Sequence, residues 1–432
     1  MRLLLCQLQV LAAAAGPQGR ALGAKLPRVL SSAAGFVKVG HRPLGQDLVI
    51  AGIGSGAFDP AKLSSWNYDE RFPLLEAKPG GRCPDAHGNV YNANCINNGE
   101  TDWNCFYGGW DGVDSCHDSV SVSVTNDAFK TMGTHTPVVA TGSMIHVNNP
   151  SATKLEAAGG AEWLMAYTQD KPQDGGQVNK PGISWSSDGV NFVPNAGGES
   201  FITVKGYPHN WTRADVNGGN VLLEVNGTLH LYFIDFKEGL HGVFRASAPF
   251  QPAAHAARMG GSNRTTVRMA PPPTEFAYEG VALSEAGRIV NDLKLVNGYY
   301  LLGAHCNGQS VYYSASTTPD RFPPTKKLFS HLNSADEHMV SLGFVIDHTA
   351  TRVLGALYGA GATSALDNNR VFAAWLQRHV LFVGTDGGVV WGLGDADRAL
   401  GPDAVSMATN REELRGKFML YDTDYVNATA RG

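Results

Sequence analysis

The chain has 432 residues, of which 43% are hydrophobic and only 17% are charged. This length suits one large domain with a substantial core, and the low charged fraction means that the surface relies on Ser, Thr, Asn and Gly. The formal net charge of −5 argues against nucleic acid and anionic membranes as partners.

Residues 1–46 differ from the rest of the chain, because they contain six Lys or Arg residues and no Asp or Glu. Arg2 is followed by two apolar runs, Leu3–Cys6 and Leu11–Ala15, a pattern typical of a secretory signal peptide. The alternative is an organellar transit peptide. We exclude this leader from the fold, which leaves a domain over 47–432 with a net charge of −11. Nothing after the leader resembles a membrane span.

The cysteines favour export. Four of them lie close together between Cys83 and Cys116, and the sequence predicts two disulfides among them with three connectivities open. A metal site is the weaker alternative, because no Cys-x-x-Cys pair exists. Cys306 is left over and is predicted to be a buried free thiol. Four sequons permit glycosylation in a secreted protein, at Asn210, Asn226, Asn263 and Asn427.

The predicted elements are short strands bounded by Gly, Asn, Asp and Pro, with no convincing helical period. After an entry segment, the first group of strands is Val90–Asn94, Asn104–Trp110 and Ser119–Val124. The last of these alternates Ser and Val strictly, which predicts one buried face and one polar face.

A polar phrase then recurs about every 70 residues, which is typical of a radial array of sheets. Its clearest copies are Val147–Pro150, Val216–Asn220 and Val290–Leu293, and each precedes a strand rich in aromatic residues, such as Leu229–Phe233. The sequence therefore predicts an all-β, five-bladed β-propeller; a two-sheet sandwich is the alternative. The predicted blades are approximately 85–140, 141–205, 206–273, 274–330 and 331–395, with the C-terminal tail closing the ring.

Three phrases carry a family resemblance: His146–Ser151, Tyr107–Gly112 and Ser187–Phe192. They resemble the five-bladed glycoside hydrolases, a superfamily that includes arabinanases, xylosidases, invertases and levansucrases. The resemblance extends from about Val90 to Val380. It implies a propeller fold and a carbohydrate ligand, and fold alone does not define the activity.

In a propeller, the start of each innermost strand shares a face with the loop between the second and third strands. The resemblance implies catalytic Asp, Asp and Glu residues at the starts of the first three blades. This sequence has amides there instead, at Asn92 or Asn94, at Asn149 and at Asn217. An amide cannot transfer a proton or attack as a nucleophile. Either the catalytic pair has moved, or the protein binds sugar without cleaving it.

If the pair has moved, the candidate catalytic residues are Asp118, Asp292 and Glu279. Cleavage needs an acid and a base or nucleophile. Asp118 opens a strand beside Cys116, Asp292 lies at a channel position of the fourth blade, and aromatic neighbours would raise the pKa of Glu279. The alternatives are a turn cap for the aspartates and a solvated loop residue for Glu279. We predict that Asp118→Asn or Asp292→Asn abolishes activity and leaves folding intact.

The candidate substrate-binding residues are amide, imidazole and aromatic side chains predicted to reach the same face. Asp111 also fits a simple Asp-Gly turn, and Trp110 could stack on a sugar ring. The set is Asn94, Trp110, Asp111, His117, His146, Asn149, Asn217, His305 and His338.

The sequence thus predicts a secreted, monomeric glycoside hydrolase that acts on furanosides or on plant or algal polysaccharide. The first alternative is a non-catalytic carbohydrate-binding propeller, and the second is a scaffold for protein partners. No cofactor and no metal site is predicted, although the resemblance allows a structural calcium ion in the channel near His338. An organellar location is the alternative to secretion.

Overall fold

The structure is a computed structural model. It describes residues 58–60, 63, 66–69, 71–76, 88–109, 118–157, 160–173, 176–250, 271–364, 368–376, 380–385 and 388–393. These residues form β-strands and no α-helix. No helix in the described part of the chain is long and apolar enough to cross a membrane. The predicted leader lies outside the described residues, so its role stays a prediction.

The first two sheets follow one another in the chain, and each has its strands in sequence order. The first sheet consists of β2 (Val90–Asn97), β3 (Trp103–Gly109), β4 (Ser119–Thr125) and β5 (Thr136–Val139). The second consists of β6 (Val147–Ala157), β7 (Gly160–Gln173) and β8 (Gly176–Ser186).

The third and fourth sheets repeat this plan of antiparallel neighbours. The third sheet consists of β10 (Asn220–Val225), β11 (Thr228–Phe233), β12 (Val243–Pro249) and β13 (Glu275–Leu283), with β9 (Thr203–Lys205) parallel to β13 at its outer edge. The fourth consists of β14 (Ile289–Val296), β15 (Tyr299–His305), β16 (Ser310–Ser316) and β17 (Lys326–Ser330).

The fifth sheet takes its outer strand from early in the chain, because β1 (Trp66–Tyr68) pairs with β21 (Arg370–Leu376). The rest of the sheet is β18 (His338–Met339), β19 (Gly343–Ile346) and β20 (Val353–Gly361). The strands β22 (Val380–Thr385) and β23 (Gly388–Leu393) form a separate hairpin. Thus a strand that precedes the first sheet completes the last one.

The five sheets form a closed ring. Along it, β2 contacts β6, β6 contacts β10, β10 contacts β14, β14 contacts β19, and β19 contacts β2. Apolar clusters fill the spaces between adjacent sheets. This arrangement is a five-bladed β-propeller, so the predicted fold is confirmed. One boundary differs from prediction: β13, at the predicted start of the fourth blade, pairs with β12 and belongs to the third.

Both faces of a propeller blade are covered by neighbouring blades, and this overrides the alternation in β4. Ser119, Ser121 and Ser123 are buried there together with Val120, whereas Val124 is 42% exposed. The prediction that β4 has one buried face and one polar face is therefore wrong. The buried hydroxyls are tolerated because they find acceptors: Ser123 Oγ donates to the carbonyl of Gly133 at 2.8 Å.

The closure of the ring depends on one buried carboxylate beside β1. Asp69 Oδ2 accepts hydrogen bonds from Trp375 Nε1 at 2.7 Å and from Arg71 Nη2 at 2.8 Å. We expect Asp69→Ala to lower the free energy of unfolding by about 1–3 kcal/mol, because it strands the indole N–H of Trp375. Urea denaturation measures this loss. The matched control is Asp102→Ala in the β2–β3 turn, and an equal loss in both variants would contradict the role of Asp69.

One of the two predicted disulfides lies in the described residues. Cys95 and Cys105 face each other across β2 and β3 and are bonded. Cys83 and Cys116 lie outside the described residues. Cys306 is buried, as predicted.

Candidate functional site

At one end of the channel the innermost strands begin and the loops between second and third strands return. We call this end of the channel the mouth. Its described polar residues are Asn89, Tyr91, Asp118, His146, Asn148, Asn149, Asp170, Asn179, Asp215, Asn291, His305 and Asn307.

Asp118 is held at the seam between the first two blades. Its Oδ2 accepts a hydrogen bond from Tyr91 Oη at 2.9 Å and a longer one from Asn89 Nδ2 at 3.4 Å. Its backbone carbonyl accepts the N–H of Val147 at 2.9 Å. Asp118 is half-buried, so a fixed carboxylate remains accessible at the mouth.

Tyr91 connects Asp118 to the second blade. Its hydroxyl donates to Asp118 and accepts a hydrogen bond from Asn148 Nδ2 at 2.6 Å. Burial and the neighbouring charge of Asp118 raise the pKa of Tyr91 well above its usual value of 10.0. The phenol therefore stays protonated and acts as a fixed donor to the carboxylate.

The polar chain continues through the second blade to the fourth. Asn149 Nδ2 donates to Asn148 Oδ1 at 2.8 Å, and it lies 4.0 Å from the position that a Cβ on Gly218 would occupy. Asn291 Nδ2 in turn donates to the carbonyl of Gly218 at 3.1 Å. Four blades thus contribute to one continuous polar surface.

His305 ends this chain as a neutral imidazole, because burial lowers its pKa to about 3. Its Nδ1 lies within hydrogen-bond distance of Asn291 Oδ1, at 2.5 Å, and its Nε2 lies 2.9 Å from Asn307 Oδ1. Because the bond to Gly218 fixes the Asn291 amide, Nδ1 is the protonated nitrogen.

A second group of polar side chains, around Asp170, lies on the side of the segment Ile145–Val147 that is opposite Asp118. The Asp170 side chain is fully buried, and neither of its oxygens has a hydrogen bond, although the backbone N–H of Val178 lies near. His146 Nδ1 lies 3.9 Å from Asp170 Oδ2. Burial raises the pKa of Asp170, the charge of His146 opposes that shift, and Asp215 adds to it.

The neighbours of Asp170 are themselves well anchored. Asn179 donates to Asp215 Oδ1 from Nδ2 at 3.0 Å and from its backbone N–H at 3.2 Å. Asp235 Oδ1 accepts the backbone N–H of Asp215 at 3.0 Å. Lys180, whose pKa burial lowers to about 8, donates to the backbone carbonyls of Trp211 and Ala214.

Asp292 lies deeper in the channel than the sequence suggested. Its side chain is 1% exposed. Oδ1 accepts from Asn94 Nδ2 at 2.8 Å and from Leu293 N at 2.9 Å, and Lys294 Nζ lies 3.2 Å from it. Oδ2 accepts the N–H of Phe344 at 2.7 Å. Asp292 and Asn94 therefore join the fourth blade to the fifth and the first, an arrangement suited to holding the ring together.

Glu279 lies on β13, the fourth strand outward in its sheet, and not beside Asp118 or Asp292. Its carboxylate pairs with Arg245 Nη2 at 2.5 Å and accepts from Ser247 Oγ. The predicted apolar surroundings are thus replaced by a salt bridge with Arg245. Sequence neighbours could not reveal this cross-strand partner.

The other predicted binding residues fall into two groups. Asn217 is half-buried in the turn before β10, and His338 begins β18 opposite Gly361. Trp110, Asp111 and His117 lie outside the described residues. Among the residues that the structure describes, no three His, Cys, Asp or Glu side chains are arranged to hold a metal ion. The structural calcium ion stays a prediction.

Two mouth residues, Asp170 and Tyr91, were not singled out from the sequence. The complete burial of Asp170 without a side-chain hydrogen bond depends on how the second and third blades pack. Tyr91 appeared only as an ordinary strand residue. Its role depends on Asp118 and Asn148, which are 27 and 57 residues away in the chain.

No protein-family model and no curated protein matches this chain. Three solved structures illustrate its similarity to known folds. A family 117 glycoside hydrolase from the marine bacterium Zobellia galactanivorans has a TM-score of 0.48 and 13% identity, over 73% of this chain and 90% of that one. An N-acetylgalactosamine deacetylase from F. plautii, in complex with blood group B trisaccharide, has a TM-score of 0.46 and 12% identity, over 72% and 95%.

The third is the Bacillus subtilis arabinanase Arb43A, with a TM-score of 0.39 and 10% identity over 66% of this chain and 94% of that one. Other similar structures are also glycoside hydrolases. The fold assignment rests on the strand pairing and ring contacts described above.

Proposed function

We propose that this protein hydrolyses glycosidic bonds and that the mouth is its active site. The observation that supports this best is Asp118, a half-buried carboxylate oriented by Tyr91 and Asn89. Hydrolysis needs such a fixed carboxylate to take a proton from the attacking water or to act as the nucleophile. Asp118 has that role in the proposal.

The surrounding amides suit a sugar ligand, which presents hydroxyl groups that both donate and accept hydrogen bonds. The NH2 group of Asn149 donates to Asn148, so the carbonyl oxygen of Asn149 is the atom that would accept a hydrogen bond from a sugar hydroxyl. Asn369, whose backbone N–H donates to Asn89, carries a buried amide without a hydrogen bond. A ligand hydroxyl or a water molecule would satisfy it.

The carbohydrate substrate is supported by the residues of the mouth and by the kind of proteins that share the fold. The finer proposal, that the substrate is a furanoside or a plant or algal polysaccharide, comes from the sequence resemblance. Secretion and a monomeric state belong to the same proposal. A screen of aryl furanosides, aryl pyranosides and polysaccharides tests the substrate directly.

The variant that tests the site is Asp118→Asn. We expect a loss of about 10²- to 10⁴-fold in kcat/KM, because the amide cannot accept the proton. Asp102→Asn is the matched control, since Asp102 lies in the β2–β3 turn at the opposite end of the same blade, and it should keep full activity. Full activity of Asp118→Asn on every hydrolysed substrate would remove Asp118 from the mechanism.

The second candidate function is carbohydrate binding without cleavage. It is favoured by the amides at Asn94, Asn149 and Asn217 and by the burial of Asp292. Under this alternative, oligosaccharides bind in calorimetry, no product forms, and Asp118→Asn changes affinity alone.

A further inference from the structure

Asp170 differs from every other buried aspartate in the described residues. The five others, Asp69, Asp235, Asp292, Asp336 and Asp347, all accept hydrogen bonds. Asp170 is 0% exposed, and no side chain donates to it; its one neighbouring donor is the backbone N–H of Val178. A buried carboxylate with so few donors is costly, so a fold that keeps one usually uses it. The residue that faces it is His146.

The His146 imidazole is oriented by a chain of partners. Asn179 Nδ2 donates to Asp215 Oδ1 at 3.0 Å, so Asn179 presents its carbonyl oxygen to His146 Nε2, 3.0 Å away. Nε2 must therefore carry a proton and donate it to Asn179. This leaves Nδ1 as the nitrogen that gains or loses a proton, and Nδ1 is the one that lies 3.9 Å from Asp170 Oδ2.

The backbone brings this pair close to Asp118. Val147 donates its N–H to the carbonyl of Asp118, and Asp170 donates its N–H to the carbonyl of His146, at 2.9 and 3.0 Å. Asp118 and Asp170 thus flank one extended segment, about two strand spacings or 10 Å apart at the backbone. The His146 side chain is 23% exposed and lies on the segment between them. His146 is therefore a neighbour of Asp118 at the mouth, and glycoside hydrolysis needs an acid and a base that reach the same bond.

We propose that His146 is the proton donor of the reaction and that Asp170 is the positioning residue that holds its imidazolium form. This rests on the proposed function. Water forms a bond to the anomeric carbon and gives its proton to Asp118. The bond from that carbon to the leaving oxygen breaks with its electron pair on oxygen, which takes the proton from Nδ1. Afterwards the proton on Asp118 is released to solvent, and His146 takes one up.

The electrostatics of the pair fit this cycle. The groups that face Asp170 are His146, Asp215 and the N–H of Val178. Burial raises the pKa of Asp170, and Asp215 raises it further, so the imidazolium is the charge that opposes both effects. Because no side chain donates a hydrogen bond to the carboxylate, its field acts on Nδ1 in a medium of low polarity.

The test compares leaving groups, since a good leaving group needs no proton from the enzyme. Asp170→Asn and His146→Gln are assayed with aryl glycosides of the sugar that the wild type cleaves. We expect a loss of at least about 10²-fold with a poor leaving group such as phenol. The loss should be less than about tenfold with 2,4-dinitrophenol. Asp118→Asn serves as the matched control and should lose activity with both. The alkaline side of the pH–rate profile, where activity falls as the general acid loses its proton, should also differ between Asp170→Asn and the wild type.

The outcomes are distinguishable. A wild-type protein that cleaves no glycoside overturns the proposed function and this assignment with it. A wild type that cleaves both substrates, with folded variants that lose equal activity on both or none on either, overturns only the roles of His146 and Asp170. Thermal melts establish folding, and the two variants are independent, so one of them suffices if the other does not fold.

Discussion

Replacing Asp292 with alanine is expected to lower the free energy of unfolding by about 3–5 kcal/mol, as is typical when one partner of a buried ion pair is removed. The variant strands three N–H donors, on Asn94, Leu293 and Phe344. It also leaves the ammonium of Lys294, 6% exposed, without its carboxylate. Asp292→Asn should lose stability as well, because its NH2 group would face an N–H donor in place of one oxygen.

The measurement is the urea midpoint of Asp292→Ala, Asp292→Asn and the double variant Asp292→Asn/Lys294→Met. We expect the double variant to recover part of the loss, since it no longer buries an unpaired ammonium. Asp102→Asn is the control. The sequence predicted instead that Asp292→Asn folds normally and loses activity. An unchanged midpoint with lost hydrolysis would support that catalytic role and contradict the structural one.

The contacts of Asp292 belong to a set of hydrogen bonds that join neighbouring blades near the axis of the ring. The register of the inner strands shifts between Asn148 and Ser151 and between Val290 and Asp292. In four seams, a polar side chain of one blade accepts a backbone N–H of a neighbouring blade. Asn94 accepts the N–H of Ala152, Ser151 that of Leu222, Asp292 that of Phe344, and Ser341 that of Asn92. These hydrogen bonds connect neighbouring blades, and Asp292, in the repeated phrase Val290–Leu293, provides one of them.

The seam between the third and fourth blades departs from this rule. The residue before Leu222 is the apolar Val221, which cannot accept the N–H of Leu293. Asp292 accepts that N–H itself, through Oδ1, while its Oδ2 binds Phe344. A carboxylate at this position thus serves two seams. The sequence placed Asp292 correctly in the channel, but only the packing of three blades determines that it faces donors and not a ligand.

The site was predictable only where it follows from strand position. Asp118, His146 and Asn149 were expected at the mouth, and all three contribute to the polar surface there. The roles of Asp170 and Glu279 depend on partners across seams and strands, such as Asp215 and Arg245. The strand β1 could not be predicted from the sequence either. Its three residues are too few to show a periodic pattern, and they pair with another strand only when the ring closes.

Replacing Asp170 with asparagine is expected to stabilise the protein at pH 7, by about 0.5–2 kcal/mol, even though it impairs hydrolysis. The side chain is as deeply buried as Asp292, but no side chain donates to it. Asparagine keeps one acceptor oxygen for the N–H of Val178, so the replacement strands no donor. The folded-state pKa is raised above the usual 3.8. The contribution of such a group to stability is therefore complete below pH 3.8 and is lost as the pH rises through the folded-state pKa.

The gain in stability from Asp170→Asn should consequently be largest at neutral pH and should disappear near pH 3–4, where the wild-type carboxyl is protonated. Urea midpoints at several pH values measure this, and Asp102→Asn is the control, with no such trend. If Asp170→Asn is instead less stable than the wild type at pH 7, then the carboxylate is bound by a partner in the folded state and has a structural role like that of Asp292. A gain in stability together with lost proton delivery is the signature of a residue kept for chemistry at the expense of the fold.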